Sequence, residues 1–322
     1  MPARLVELLQ HLVNGLSVGT IYALIALGYT MVYGVLKLIN FAHGDVYMVG
    51  AFSGYYLAGR LVPERAAGAP PPGLAGATLQ AALVTLGAMA ICALLGLAIE
   101  RFAYRPLRGR ARLTSLITAI GVSLLLEYGF QLQPIRGLPV AFPPGPTPRF
   151  FPELLPRADW SLGGVSLSNY DVIGLAVAVA LMIGLQLVVY RTRFGTAMRA
   201  VSFDPKVAAL MGIPVDRIIA GTFALGSALA AAAAILNAVP RPQIHPLFGL
   251  LPGLKAFVAA VLGGIGSVPG AMVGGLALGL AEELVAGYTA SSFKDAIAFT
   301  VLILVLLFRP DGLFGRARVE KV

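Results

Sequence analysis

The sequence has little charge and almost no cysteine. Only 12% of its 322 residues are charged, and Cys92 is the single cysteine. A soluble domain usually has about 25% charged residues, and a disulfide scaffold needs several cysteines, so neither class fits. Apolar residues make up 58% of the chain, which also excludes a disordered protein. The composition predicts an integral membrane protein.

Motifs for catalysis and cofactor binding are also missing. The chain has no G-x-x-x-x-G-K-[ST] pattern for nucleotide phosphates, and its three histidines and one cysteine lack metal-ligand spacing. Residues 15–19 fit the G-x-S-x-G pattern of hydrolases, yet they lie inside a long apolar run rather than between a strand and a helix. We interpret them as a helix-packing surface. We expect no enzyme activity, no metal and no cofactor in this chain, so partner subunits would bind any ATP.

The net charge of +9 reflects membrane topology rather than nucleic-acid binding, because the basic residues lie between apolar runs. Segments 101–112, 191–217 and 309–321 hold 14 of the 24 basic residues, which predicts that all three are cytoplasmic. Segment 133–171 is balanced in charge, segment 282–295 has three acidic residues against one lysine, and both are expected outside. The loop with Arg241, His245 and Lys255 is also predicted to lie outside, although its basic residues by themselves would favour the cytoplasmic side.

The uncharged windows predict the membrane spans, since a spanning helix needs about 20 apolar residues. The long windows are 8–36, 66–99, 172–190, 218–240 and 256–281, and the shorter ones are 46–59, 113–126 and 296–308. The first is long enough for a retained membrane anchor rather than a cleaved signal. These windows predict an all-α polytopic helix bundle with about eight spans (8–10), broken or re-entrant Gly-rich segments, and a single domain over residues 1–322.

One predicted outer segment is rich in proline. Residues 134–156 contain eight prolines, so this stretch cannot be helical. The whole connection, 133–170, is predicted to be a stiff extracytoplasmic loop. It would serve either as a lid over the bundle or as a docking surface for a soluble partner.

Two breaks in the apolar runs supply the candidate translocation residues. Broken helices occur at membrane depth only where protein or a water-filled cavity satisfies the freed backbone groups, and polar groups there are often functional. Alternatively, the first break is a cytoplasmic turn whose polar residues cap helix ends. The candidates are Asn40, His43, Gly44 and Asp45 in the first break, and Gly263, Gly264, Gly266, Ser267 and Pro269 in the second.

The cytoplasmic segment 191–217 predicts a short, well-capped helix over 205–211. Asp204 is a good N-cap, Pro205 suits the first turn, and Gly212 fits the position after the helix. A helix this short is marginal in water by itself. Its apolar residues Val207, Leu210 and Met211 would therefore either dock into a groove of a partner or fold back on the bundle.

Long blocks of the sequence resemble the permeases of branched-chain amino acid ABC transporters, specifically the smaller of the two paired permeases. The first block, 14–52, is NGLSVGTIYALIALGYTMVYGVLKLINFAHGDVYMVGAF. The other blocks cover 100–127, 194–231 and 251–283, and the tail from Pro310 to Val322 also fits. The Pro-rich segment 134–156 shows no family pattern.

This resemblance implies an importer in the cytoplasmic (inner) membrane. A soluble binding protein would deliver leucine, isoleucine or valine, a second homologous permease would complete the pathway, and two ATPases would dock below. The short helix, with Asp204, Pro205, Val207, Leu210, Met211 and Gly212, would be their coupling helix. Two alternatives stay open: the same mechanism with urea or short amides as cargo, and an ion-coupled secondary transporter that uses Glu127.

Overall fold

The computed structural model describes residues 3–62, 74–135, 142–289, 291–309 and 311–315. It confirms the all-α class. The helices are α1 (Ala3–Leu36), α2 (His43–Leu61), α3 (Leu74–Ile99), α4 (Arg112–Gln131), α5 (Asn169–Arg191), α6 (Arg193–Phe203), α7 (Pro205–Leu210), α8 (Val215–Ala238), α9 (Leu250–Gly263), α10 (Val268–Tyr288) and α11 (Lys294–Phe308). A π-helical turn, Glu100–Tyr104, and a 3-10 turn, Arg105–Leu107, extend α3.

Six of the described helices are long and apolar enough to cross a membrane, namely α1, α3, α4, α5, α8 and α10. Helices α2 and α11 coincide with two of the shorter predicted windows and bring the number towards eight. Helix α9 has 14 residues and is about 21 Å long at 1.5 Å per residue. It is shorter than the roughly 30 Å hydrocarbon core, and the turn that follows it leads directly into α10.

The contacts divide the chain into two compact units, each built from separated stretches. The first unit comprises Met1–Lys37, Asp159–Ile218 and Leu254–Val322, and the second comprises Leu38–Ala158 and Ile219–Gly253. That the chain forms a single domain stays a prediction.

The first unit is held by a close antiparallel crossing of α1 and α10. A Cβ atom on Gly19 would lie 2.9 Å from the Leu276 Cα, and one on Gly275 would lie 2.7 Å from the Ala23 Cβ. Only residues without a Cβ allow backbones to approach this closely in a membrane. The G-x-S-x-G pattern at 15–19 is therefore part of a packing surface, as interpreted from the sequence.

The polar contacts identify the two ends of this unit. At one end, Gln10 Nε2 donates to the Ser166 carbonyl at 3.0 Å. At the other end, Lys37 Nζ lies 3.4 Å from Ser202 Oγ, in the region that the charge pattern predicts to be cytoplasmic. Helix α9 runs towards this second end, turns at 264–267, and α10 returns. The second predicted break in the apolar runs is therefore present as a turn between two helices.

The second unit packs α2 against α3, α4 and α8. A Cβ on Gly50 would lie 2.6 Å from the Ala231 Cα of α8, and a Cβ on Gly96 of α3 would lie 2.7 Å from the Phe223 carbonyl oxygen. Asn237 Nδ2 donates to the Tyr47 hydroxyl at 2.6 Å, deep in the same unit. Small residues thus set the helix distances here as well.

The Pro-rich connection contains short strands that the proline count did not predict. Strands β2 (Asp159–Leu162) and β3 (Val165–Ser168) form an antiparallel hairpin, with Gly163 and Gly164 both at positive φ. Such a two-residue turn matches the twist of a hairpin. In the second unit, β1 (Arg149–Phe150) pairs with β4 (Gln243–Ile244). The remaining described part of 134–156 has no helix; Pro139 lies outside the described residues.

Candidate translocation and coupling sites

The predicted coupling helix is present as α7, and its caps are those expected from the sequence. The Asp204 carboxylate accepts from the backbone N–H groups of Lys206 at 2.8 Å and Val207 at 3.1 Å. Pro205 occupies the first turn. Gly212 follows the helix at a φ of +81°, where an L side chain would be strained. The segment is more helical than a loop, since α6 precedes α7 after a single residue.

The apolar side chains of this short helix point away from the protein. Leu210 is 86% exposed and Met211 is 77% exposed, whereas Ala208 on the opposite side is buried. Phe203, at the end of α6, is 95% exposed and was not singled out in the sequence. Its position directly before the N-cap Asp204 is the sequence feature that could have identified it, because an apolar residue at this position usually contacts the following helix. The first unit therefore presents an apolar ridge of Phe203, Val207, Leu210 and Met211, here called the coupling ridge.

The first predicted break lies in the second unit and is buried. Asn40 Oδ1 accepts from the Tyr104 hydroxyl at 3.0 Å, and His43 begins α2. Gly44 lies against the segment before α9, because a Cβ there would be 2.8 Å from the Gly249 carbonyl oxygen. Asn40 and His43 are both at most 3% exposed. These residues are packed among helices, and their role in translocation stays a prediction.

Asp45 forms a buried cluster with two side chains of α4. Its carboxylate accepts a short hydrogen bond from the Ser123 hydroxyl and interacts with the Glu127 carboxyl. Ser123 and Glu127 are four residues apart and share one helix face. We name Asp45, Ser123 and Glu127 the acidic cluster. The sequence singled out Asp45 and Glu127 separately; the spacing of Ser123 and Glu127 was the signal for a common partner.

The second predicted break forms the turn between α9 and α10 in the first unit. Gly264 and Gly266 adopt positive φ values of +100° and +98°. Ser267 caps α10 by accepting from the Gly270 N–H at 3.2 Å, and Pro269 lies in the first turn of α10. Gly263 ends α9 beside α10, where a Cβ on Gly274 would lie 2.8 Å from the Gly263 nitrogen. The role of these residues in the translocation pathway stays a prediction.

The backbone groups freed by this turn are satisfied by the tail of the chain. The Leu313 N–H donates to the Leu262 carbonyl at 2.8 Å, and the Phe314 N–H donates to the Gly263 carbonyl at 3.0 Å. The tail thereby caps the carboxyl end of α9, which otherwise has orphan carbonyls. The sequence predicted the tail to be cytoplasmic and similar to the family, but did not predict this contact. Of its four basic residues, Arg309 is described, while Arg316, Arg318 and Lys321 lie outside the described residues.

Lys255 is not in a loop, and that expectation is wrong. It lies in the second turn of α9 and is only 6% exposed. Its Nζ is 3.1 Å from Glu282 Oε1 and 2.7 Å from Asp295 Oδ1, and Glu282 also accepts from the Tyr22 hydroxyl at 2.9 Å. We name Lys255, Glu282 and Asp295 the ion-pair cluster. A charge inside an apolar run is tolerated because partners 27 and 40 residues away neutralise it.

The contacts of Lys255 and His245 reduce the positive charge of the loop before α9, which had conflicted with its predicted outside location. Lys255 is neutralised by carboxylates. Burial lowers the pKa of His245, which favours its neutral form, and its ring packs edge-on against Phe248 at 6.0 Å. Arg241 Nη1 donates to Asn237 Oδ1 at 2.9 Å and remains as a charged group of the loop. One charge weakens the outside assignment far less than three do.

Comparison with known proteins identifies the family of this chain. Residues 11–306 match the family described as branched-chain amino acid transport system / permease component. The chain is 45% identical over 318 residues to the high-affinity branched-chain amino acid transport system permease protein BraD of Pseudomonas aeruginosa, covering 98% of each chain. It is 40% identical to the corresponding protein LivH of Escherichia coli (strain K12), covering 100% of each.

A more distant relative extends the match beyond bacteria. The probable branched-chain amino acid transport permease protein LivH of Methanocaldococcus jannaschii is 30% identical over 306 residues, covering 91% of this chain and 88% of that protein. Together with six helices able to cross a membrane, these matches make the chain a multi-pass transport permease of the cell (inner) membrane. It belongs to the family of branched-chain amino acid transport system permease components.

Proposed function

We propose that this chain is the permease subunit of an ABC importer and forms one half of a pathway for leucine, isoleucine and valine. A second homologous permease forms the other half, a soluble binding protein delivers the amino acid, and two ATPase subunits supply the energy. The cargo is proposed from the names of relatives that align over the whole chain at 40–45% identity. The chain itself would bind no ATP, since it contains no phosphate-binding loop.

The single observation that carries the proposal is the coupling ridge. Four large apolar side chains on α6 and α7 are more than half exposed, at the end of the first unit that carries Arg191, Arg193 and Arg199. An exposed apolar patch with a basic surrounding marks a protein contact. The alternative expected from the sequence, folding back on the bundle, is not what α7 does with Leu210 and Met211.

The coupling ridge can transmit force because the orientation of α7 is fixed. Asp204 caps the start of α7, Gly212 follows its end, and the buried Ala208 packs its inner face against the protein. A six-residue helix has too few internal hydrogen bonds to be stable alone, so its caps and its seat determine its orientation. A partner that grips the ridge would therefore move α6 and α7 together.

The test replaces Leu210 and Met211 with Asp. Two carboxylates on the ridge would remain charged in an apolar groove and prevent docking, whereas both positions are solvent-exposed in the isolated chain and tolerate charge. We expect loss of ATP-driven leucine uptake in proteoliposomes that contain the complete transporter, and loss of the ATPases from the purified complex. The helix content of the permease should be unchanged.

The matched control exchanges the two residues, Leu210→Met with Met211→Leu. This variant keeps an apolar ridge of nearly the same volume, a change that is usually well tolerated, so uptake and co-purification should be retained. Normal uptake by the Asp variant at equal expression would overturn the docking role. Competition of leucine uptake by valine but not by urea would support the proposed cargo, and competition by urea or acetamide would contradict it.

A further inference from the structure

A small cavity lies in the first unit, where α1, α5, α6 and the turn before α10 meet. Its volume is about 100 Å³. Thr30, Met31 and Val35 form a closed end, because all three are buried, whereas Tyr190, Arg199 and Gly266 are exposed and form an open end. The coupling ridge follows on the same chain segment, directly after α6.

The closed end contains a buried polar group without a partner. Thr30 is 1% exposed, and within the described residues its Oγ1 atom makes no hydrogen bond. A threonine inside a helix normally donates to a carbonyl one turn earlier. A buried hydroxyl without a hydrogen bond costs free energy. A ligand that bonds to Thr30 Oγ1 would recover this cost, and the hydroxyl can act as donor or acceptor.

The open end carries a positive charge. The Arg199 guanidinium donates to the Val189 carbonyl, lies 3.4 Å from Thr196 Oγ1, and stacks on the Tyr190 ring at 5.6 Å. These bonds use two of its five N–H groups, which leaves donors for a carboxylate. No acidic residue is among those that line the cavity. The site therefore favours a ligand with an anionic group at its mouth.

The remaining wall is aliphatic and thioether. Met31, Val35, Val189, Met198 and Val268 line the cavity and are buried. An apolar lining with a few convergent polar groups is typical of small-molecule sites. An engineered cavity of about 150 Å³ in another protein encloses benzene; by that scale, about 100 Å³ encloses roughly four non-hydrogen atoms, and the open end leaves room for the rest of the ligand.

We propose that this cavity, whose open end includes Gly266 of the second predicted break, is a binding site for an aliphatic α-amino acid and is distinct from the translocation residues predicted at 40–45. The ligand carboxylate meets Arg199 at the mouth, its ammonium donates to Thr30 Oγ1, and its side chain lies against the buried Met and Val residues. Valine is chosen as the ligand because it is the smallest of the proposed cargo amino acids. This choice rests on the proposed function, whereas the cavity and its charge do not. The site would place an amino acid against α6, the helix that leads into the coupling ridge.

The test measures protection of an introduced cysteine. Cys92 is the only cysteine, so Val35→Cys in a Cys92→Ala background places one thiol in the wall of the cavity. The purified chain alone, in phosphatidylcholine nanodiscs, is treated with methyl methanethiosulfonate. At a valine concentration of ten times its dissociation constant, modification should be about elevenfold slower. Glycine, which lacks the side chain, and isobutylamine, which lacks the carboxylate, should protect much less.

Two further variants test the charge. Arg199→Gln retains a donor for the Val189 carbonyl but removes the cation, and valine protection should be lost. Arg193→Gln removes an exposed cation outside the cavity and should leave protection unchanged. Equal protection by isobutylamine and valine would overturn the proposal, as would a modification rate that valine does not change at any concentration up to saturation.

A second measurement covers the case in which the cysteine variant does not fold. Valine should raise the unfolding temperature of the unmodified chain in the same nanodiscs, and Arg199→Gln should abolish this rise. Gly34→Leu should also abolish it, because a Cβ on Gly34 has only the Gly266 Cα within 4 Å and a larger side chain would fill the cavity. No ATPase or uptake is involved, so failure of the proposed transport function would not affect these results.

Discussion

The ion-pair cluster of the first unit and the acidic cluster of the second differ in whether a cation is present. In the first unit, Lys255 lies between Glu282 and Asp295. In the second unit, Asp45 meets Ser123 and Glu127, and neither carboxyl forms an ion pair among the described residues. Opposite charge therefore stabilises the first cluster, whereas hydrogen bonds satisfy the carboxyl groups of the second.

This difference shows two ways in which an apolar bundle tolerates charge. A buried cation is stable when carboxylates surround it, and the removal of one partner leaves an uncompensated charge. The acidic cluster contains no cation, so its buried carboxyl oxygens depend on hydrogen bonds such as the one from the Ser123 hydroxyl. The ion-pair cluster should consequently be sensitive to substitution, and the acidic cluster should accept a neutral replacement.

The largest effect is expected for Lys255→Met. Methionine keeps much of the side-chain volume but leaves Glu282, which is 2% exposed, without its cation. Breaking a buried ion pair in this way typically costs about 3–5 kcal/mol. The free energy of unfolding of the purified permease, measured by SDS titration in mixed micelles, should fall by that amount.

The control for this variant restores neutrality. In the double variant Lys255→Met with Glu282→Gln, the amide oxygen still accepts from the Tyr22 hydroxyl, and no charge is left buried. Most of the lost stability should return. If the double variant is as unstable as Lys255→Met alone, then packing rather than charge explains the loss, and the comparison of the two clusters fails.

The ion-pair cluster also shows what the sequence could not predict. The bundle class, the caps of α7 and the turn between α9 and α10 follow from local patterns: apolar windows, Asp204-Pro205, and clustered glycines. Lys255 was misplaced because a single charge beside Gly and Pro is typical of a loop. Its partners in α10 and α11 are remote in sequence, and nothing local indicates that they neutralise it.

The acidic cluster was partly predictable. Asp45 and Glu127 were both singled out, as charges inside apolar runs, but under different hypotheses. Their meeting depends on the register of α2 against α4, which is set by glycine contacts such as that of Gly50 with Ala231. The hairpin at 159–168 was missed for a different reason, because the proline count drew attention away from the Gly163-Gly164 turn.

A moderate effect is expected at Asp45, and its sign should depend on the substitution. Asp45→Asn retains an acceptor for the Ser123 hydroxyl and offers an N–H donor to Glu127, so stability should stay within about 1 kcal/mol of the unsubstituted chain. Asp45→Leu keeps the branched shape but leaves Ser123 and Glu127 without this partner, and should cost about 1–3 kcal/mol. Both are measured by the same titration. Equal losses for the two variants would show that the cluster requires the charge of Asp45.

The smallest effect is expected at Asp295, which shares Lys255 with Glu282 but has a half-exposed side chain. Asp295→Asn should cost at most about 1 kcal/mol, because solvent screens an exposed pair. Part of that cost would come from the favourable position of Asp295 in the first turn of α11.

Repeating the substitution in the Lys255→Met background isolates the pair, since the helix contribution is common to both backgrounds. The coupling energy of Lys255 with Asp295 should be below about 1 kcal/mol and should shrink in high salt. If the coupling energy of Lys255 with Asp295 were as large as that of Lys255 with Glu282, then the degree of burial would not determine the strength of the ion pairs in this cluster.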